Sequence, residues 1–171
     1  MDVKLGLGRA TGMFYHAPAN TALPTSLSGT LDTAWVHVGD VTDAGITLAL
    51  NKTSTNLRNW ANVIKRVIVT EHSETVQSPI MDTTAESLKA VFGEDNVTVS
   101  NDKVNVNLSS SSLPDEEAFL WIMKDGDDLL AIGCTNGQVT AVDNVSFAPN
   151  NAINWVPTIT ALDSGFKLIM E

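Results

Sequence analysis

Hydrophobic positions in this chain recur at every second residue far more often than at every third or fourth. In "VNVNL", Val104, Val106 and Leu108 fall on one side and Asn105 and Asn107 on the other, the alternation of a strand with one buried face. "TAWVHVGDV", "VTVSN", "FLWIM", "LLAIGC", "QVTAVDNVSF" and "WVPTITAL" are short runs of valine, isoleucine, threonine and aromatic residues, and they predict further strands. Pro157 inside the last run predicts an edge position or a bulge, because proline has no N–H to give a ladder. Turn formers separate the runs. Asn136-Gly137, between "AIGCT" and "QVTAV", predicts a hairpin, since both residues tolerate positive φ. "KDGDD", Lys124 to Asp128, separates "FLWIM" from "LLAIGC" in the same way. Its three carboxylates also resemble the start of a calcium loop. Such a loop needs glycine at its sixth position and a bidentate glutamate at its twelfth. Counted from Asp125, those positions hold Leu130 and Asn136, so a strand reversal is the better reading.

One segment has a helical period. "DTTAESLKAVFGED" predicts a short helix over about 83–92, with Asp82 or Thr83 as cap and Glu86 near the first turn. Leu88, Val91 and Phe92 form its apolar face, and Gly93 is placed to end it. A helix this short needs a sheet to pack against. Residues 16–30 and 109–117 are polar and read as surface loops. The expectation is one mainly β domain over residues 1–171, a β-sandwich or barrel-like body with one flanking helix.

Charge adds a feature that hydropathy does not show. The chain has 171 residues, 20 acidic and 10 basic, for a net charge of -10. That balance argues against wrapping duplex nucleic acid, which requires cations against phosphates. Yet between Asp43 and Glu71 there is no acidic residue, while Lys52, Arg58, Lys65 and Arg66 all lie there. The middle of this stretch, "NKTSTNLRNWANV", has a poor strand pattern and predicts a long loop or arm over about 50–64. Connections of this length are uncommon and usually functional. A basic arm with Trp60 on an acidic body suits docking on another copy, with Trp60 as anchor. The plain alternative is a disordered loop with a buried tryptophan.

Other candidate chemistry is weak. Cys134, the single cysteine, cannot form an internal disulfide, which points to a reducing compartment. It reads as a small buried hydrophobe rather than a nucleophile. No signal peptide or membrane span is expected, and the Asn-x-Ser/Thr matches at Asn51, Asn96, Asn107 and Asn144 read as chance. Gly6, Gly8 and Gly12 in "GLGRATG" lack the flanking strand and helix of a phosphate-binding loop. The histidines, His16, His37 and His72, are scattered. His72 and Glu74 would share a strand face, which permits metal ligation or a hydrolytic pair, but a solvated face explains them as well. No cofactor, metal site or catalytic residue is expected. A carbohydrate-binding module using Trp60, Trp35 or Trp155 as a stacking platform is the alternative function.

Five segments in register resemble the tail tube, or major tail, proteins of bacteriophages with long non-contractile tails: "GMFYHAPANTALPTSL", "LDTAWVHVGDVTDAGITL", "SLKAVFGEDNVTV", "NGQVTAVDNVSF" and "WVPTITALDSGFK". One departure is "TVQSPIMD", where Ser78 and Pro79 stand in place of larger apolar or β-branched residues. The resemblance implies a structural virion protein made in the host bacterial cytoplasm. Six copies would close into a ring, and rings would stack into a hollow tube. A tape measure protein would fill the channel before infection, and DNA would pass through it afterwards without specific binding. A tail terminator and tail-tip or baseplate proteins would meet the tube ends. The family's long loop between early strands, which reaches a neighbouring subunit or ring, would map onto Leu50 to Ile64. In "VTEHSETVQ", alternation places Glu71, Ser73, Thr75 and Gln77 on one face, with Ile68, Val76 and Ile80 opposite. The polar row is either channel lining or ordinary outer surface.

Overall fold

The computed structural model describes residues 4–8 and 13–171; Gly12 of the glycine-rich stretch lies outside them. Strands β1 (Leu7–Gly8), β2 (Phe14–Pro18), β3 (Val36–Gly39), β4 (Thr47–Arg58) and β5 (Ile64–Gln77) precede helix α1 (Ala85–Phe92). A short 3-10 turn (Glu94–Asn96), β6 (Val97–Ser100), β7 (Lys103–Val106), β8 (Glu117–Asp125), β9 (Asp128–Val142), β10 (Pro157–Ala161) and β11 (Lys167–Met170) follow. The main sheet runs in the order β3-β2-β8-β9-β10-β5-β4, with β1 also paired to β8 and β11 to β9. All these pairings are antiparallel. The protein is therefore mainly β with one α-helix, as its alternating pattern predicts.

The core is organised by β8. Its run of six buried residues, Ala118 to Met123, is continuous because both of its faces are covered. Phe119 and Trp121 join Phe14, Val76, Ile159 and the helix residues Leu88 and Val91 in one cluster. Ala118, Leu120 and Ile122 join Leu27, Trp35 and Ala131 in the other. Phe14 stacks on Trp121 with ring centroids 4.8 Å apart and planes 5° from parallel.

"KDGDD" is the expected reversal: Asp125 faces Asp128, and Gly126 takes φ of 61°. A further two-residue turn joins β6 to β7, where Asn101 and Asp102 both have positive φ, the geometry that matches strand twist. Asn136-Gly137 is not a turn. β9 passes straight through it, and Asn136 is buried. Between the pairs Glu117↔Gly137 and Phe119↔Cys134 the register slips by one residue, so the signal marks a β-bulge. Space explains the glycine, since a Cβ there would lie 2.9 Å from Cys134 Sγ and 3.1 Å from Phe119.

The helix begins slightly later than Asp82 or Thr83 would cap it. Thr84 is the cap, its hydroxyl accepting from Ser87 N while Ser87 Oγ accepts from Thr84 N. Asp82 instead accepts from Asp40 N at 2.6 Å. Gly93 ends the helix with φ of 87°. Pro157 is the first residue of an interior strand, β10, rather than an edge, and a register shift follows at Thr158/Ile159. The C-terminal strand is fastened by Glu171, whose carboxylate accepts from Leu27 N, from Ser28 N at 3.1 Å and from Ser26 Oγ at 2.9 Å. These donors, with Leu27 N foremost, hold that carboxyl below its ordinary pKa.

Candidate assembly surface

The basic arm is a β-hairpin, not a loop. β4 and β5 pair from Thr47↔Gln77 to Arg58↔Ile64. β10 supports β5 only at Thr75 to Gln77. From Leu50↔Glu74 outward the two strands therefore stand as a ribbon, roughly 30 Å long at the usual rise per residue. The strand pattern looked poor because the pairing slips at Thr53/Ser54 and again at Leu57/Arg58, and each bulge resets the alternation. Cross-strand partners share a face, so the first slip moves Ile68 to the side of Glu71, away from Val76. Ile80 lies beyond β5, in isolated bridges to Val41 and Trp155. Glu71, Ser73, Thr75 and Gln77 do share one face, opposite Thr53, Asn51, Ala49 and Thr47, and Thr160 and Thr158 of β10 extend it.

The tip is held by its own side chains. Asn59 Oδ1 accepts from Ala61 N at 3.1 Å and from Val63 N at 2.9 Å. Arg58 Nη1 donates to Asn62 O at 2.9 Å, and Asn62 has φ of 61°. Trp60, next to this turn, is fully exposed. Leu50, Leu57, Val63, Ile64, Val67 and Val69 are exposed as well. Lys52 sits opposite His72, Arg66 opposite Leu57, and Lys65 in the second bulge. Among the described residues no ion pair involves Lys52, Arg58, Lys65 or Arg66. A bare two-stranded ribbon is only marginally stable in water, and a row of exposed aliphatic side chains marks an interaction surface.

β4 also ends the sheet order. Its outer edge is a free row of backbone donors and acceptors, the kind that natural sheets protect or use for pairing. Leu48 and Leu50 lie along it, both exposed. The other end of the order is β3, four residues long.

Ser78 is fully buried and accepts from Trp121 Nε1 at 3.0 Å; that bond explains a small hydroxyl residue where a large apolar one was expected. Trp35 and Trp155 are buried, and Trp155 Nε1 donates to Thr83 Oγ1 at 3.0 Å. Neither offers a face for stacking sugars. His72 Nε2 lies 3.1 Å from Glu74 Oε1, but Glu74 Oε2 accepts from Phe166 N at 2.6 Å; the pair fastens the root of the arm to the loop before β11. Cys134 is buried, and desolvation pushes its thiol up to about 12. Among the described residues no group of three or more histidine, cysteine, aspartate or glutamate side chains could hold a metal ion, and no helix is long and apolar enough to cross a membrane.

A mainly β subunit with an open strand edge and a projecting apolar, basic hairpin is built for contact with other proteins. The profile of the phage tail tube protein family matches residues 7–171, and the chain belongs to that family. It is thus a structural component of a phage tail. No curated protein matches the chain significantly. Among solved structures it is similar to the tail of an empty gene transfer agent particle refined with C6 symmetry, at 8% identity, covering 94% of this chain and 98% of that one with a TM-score of 0.49. It is also similar to the cap that terminates the tube of an anti-feeding prophage, at 10% identity, covering 100% of this chain and 95% of that one with a TM-score of 0.48. A third is the sheath/tube terminator of an extracellular contractile injection system in its extended state, at 11% identity, covering 99% of both chains with a TM-score of 0.46.

Proposed function

We propose that the protein is the tube subunit of a long non-contractile tail, six copies closing into a ring and rings stacking into a hollow conduit for the genome. The observation that carries this reading is the free edge of β4 continuing into a two-stranded arm with apolar side chains open to water. Pairing that edge with a strand of the next copy removes it from solvent, and closure into a ring leaves no edge over. The arm, with Lys52, Arg58, Lys65, Arg66 and Trp60, then reaches a neighbouring subunit or ring. The face with Glu71, Ser73, Thr75 and Gln77 lines the channel. From Glu71 to Gln77 it carries hydroxyls, an amide and one carboxylate and no cation, the first cation on that side being Arg66 further out along the arm, so DNA phosphates find no counterion along this stretch and slide. A tape measure protein occupies the channel before ejection, and a terminator and tip proteins bind the two ends of the tube.

Electron microscopy of concentrated protein tests the reading. Rings or tubes are expected, and a monomer at every concentration would contradict it. A carbohydrate-binding module is the less supported reading, since Trp60 is the only one of its three proposed platform tryptophans that is exposed. Glycan binding abolished by Trp60→Ala would favour it.

A further inference from the structure

A recess of about 370 Å³ lies between β2, β3, the first turns of α1 and the segment that leads into β8. Ala17, Pro18, Ala19, Ala34 and Val36 give it apolar walls, and Glu86, Glu94, Asp115, Glu116 and Glu117 surround them with carboxylates. Among the described residues Lys89 is the one cation of the lining, and it lies 3.2 Å from Glu86 and 4.0 Å from Glu94. Glu117 accepts from His16 Nδ1 at 2.8 Å. The carboxylate can only accept, so Nδ1 carries the hydrogen. His16 Nε2 is buried with no hydrogen-bond partner, the nearest carboxylate oxygen, Glu86 Oε2, being 4.0 Å away. In the neutral ring that nitrogen is a bare acceptor facing a site with apolar walls and an acidic rim.

The tip of the arm has the complementary features: an exposed indole, whose N–H only donates, flanked by Arg58, Lys65 and Arg66 with no acidic residue nearby in sequence. The two surfaces also sit at opposite ends of the molecule's strand order. The arm extends β5 and β4, while the recess adjoins β2 and β3. A contact between unlike ends of identical subunits is heterologous, the type that closes rings or propagates along an axis. We propose that the recess receives the arm tip of a second copy, Trp60 seated between Pro18, Ala34 and Val36 and the arm cations against Glu94, Asp115 and Glu116. This rests on the self-assembly proposed above and names the surface that the arm engages.

Charge reversal in both partners tests it. Arg58→Glu/Lys65→Glu/Arg66→Glu changes the arm, and Glu94→Lys/Asp115→Lys/Glu116→Lys changes the recess; all six positions are exposed, and circular dichroism checks that each variant folds. Tubes are measured by electron microscopy of the full-length chain, alone and as an equimolar mixture of the two variants. Each variant alone is expected to yield at least tenfold less tube mass than the unaltered protein, and the mixture is expected to recover most of it, because every arm-reversed tip then finds a reversed recess. Trp60→Ala is expected to shorten tubes at unchanged charge. Normal tubes from the recess variant overturn the assigned surface while leaving self-assembly intact, as does a mixture with no recovery. An unaltered chain that never assembles instead removes the reading beneath it.

Discussion

Ser78 is fully buried, and its hydroxyl is what the Trp121 indole N–H meets. Removing it leaves a buried donor unsatisfied, at a cost of about 1–3 kcal/mol. Ser78→Ala should lower the urea midpoint by that equivalent with the slope unchanged; an unshifted midpoint would mean that water or another group takes over the bond. Cys134 makes a second prediction. With its thiol pushed up to about 12 by burial, it should resist alkylation at pH 8 in native protein and react at once in denaturant. Folded thiol keeps its proton while unfolded thiol loses it above its ordinary pKa of 9.0, so this contribution is complete below pH 9.0 and is lost as pH rises towards about 12. Glu171 acts in the opposite direction. Its lowered pKa means that the contribution is present above the ordinary carboxylate range and is lost as pH falls through the folded value. Faster amide exchange in β11 on acidification, reproduced at neutral pH by Glu171→Gln, is the expected result. Neither the Ser78–Trp121 bond nor the hold of Glu171 on residues 26–28 could be read in the sequence, because each joins residues far apart in the chain, whereas the burial of Cys134 in its apolar run could.

At the scale of elements, most strands and the helix were legible because alternation and capping act within a few residues. Val104 and Val106 alternate with asparagine in β7, although Leu108 lies beyond the strand and both it and Val104 are exposed instead of forming a buried face, and Gly93 ends α1 as its lack of a Cβ allows. The two misread strand segments share one cause, the β-bulge. Asn136-Gly137 carries turn chemistry yet lies inside a continuous strand, and two slips in the β4–β5 pairing made a long hairpin look like a loop. A bulge uses turn-forming residues without reversing the chain, and only the partner strand reveals it. Gly137→Ala should therefore behave as a core overpacking change rather than as a turn change. The expected loss is about 1–3 kcal/mol of unfolding free energy, measured by denaturant titration. A neutral outcome would show that the Cys134 side chain has room to yield.

At the scale of the whole molecule, charge and hydropathy divide the chain into an acidic body and a basic, apolar arm, and the structure separates them in space. The absence of acid between Asp43 and Glu71 was the one signal in the sequence that pointed to the assembly surface. The recess around His16 was not legible, since it is gathered from β2, β3, α1 and the segment before β8. If the polar face lines the channel, Glu71→Lys with Gln77→Lys should leave assembly intact and slow genome release, because each lysine adds a phosphate contact; normal ejection kinetics would take those residues off the lining. A cryo-electron reconstruction of tubes grown from the purified chain decides how the free edge of β4 is used. Backbone pairing between β4 and a strand of the adjacent copy around a closed ring is expected; a tube in which that edge faces solvent in every subunit would overturn the assignment.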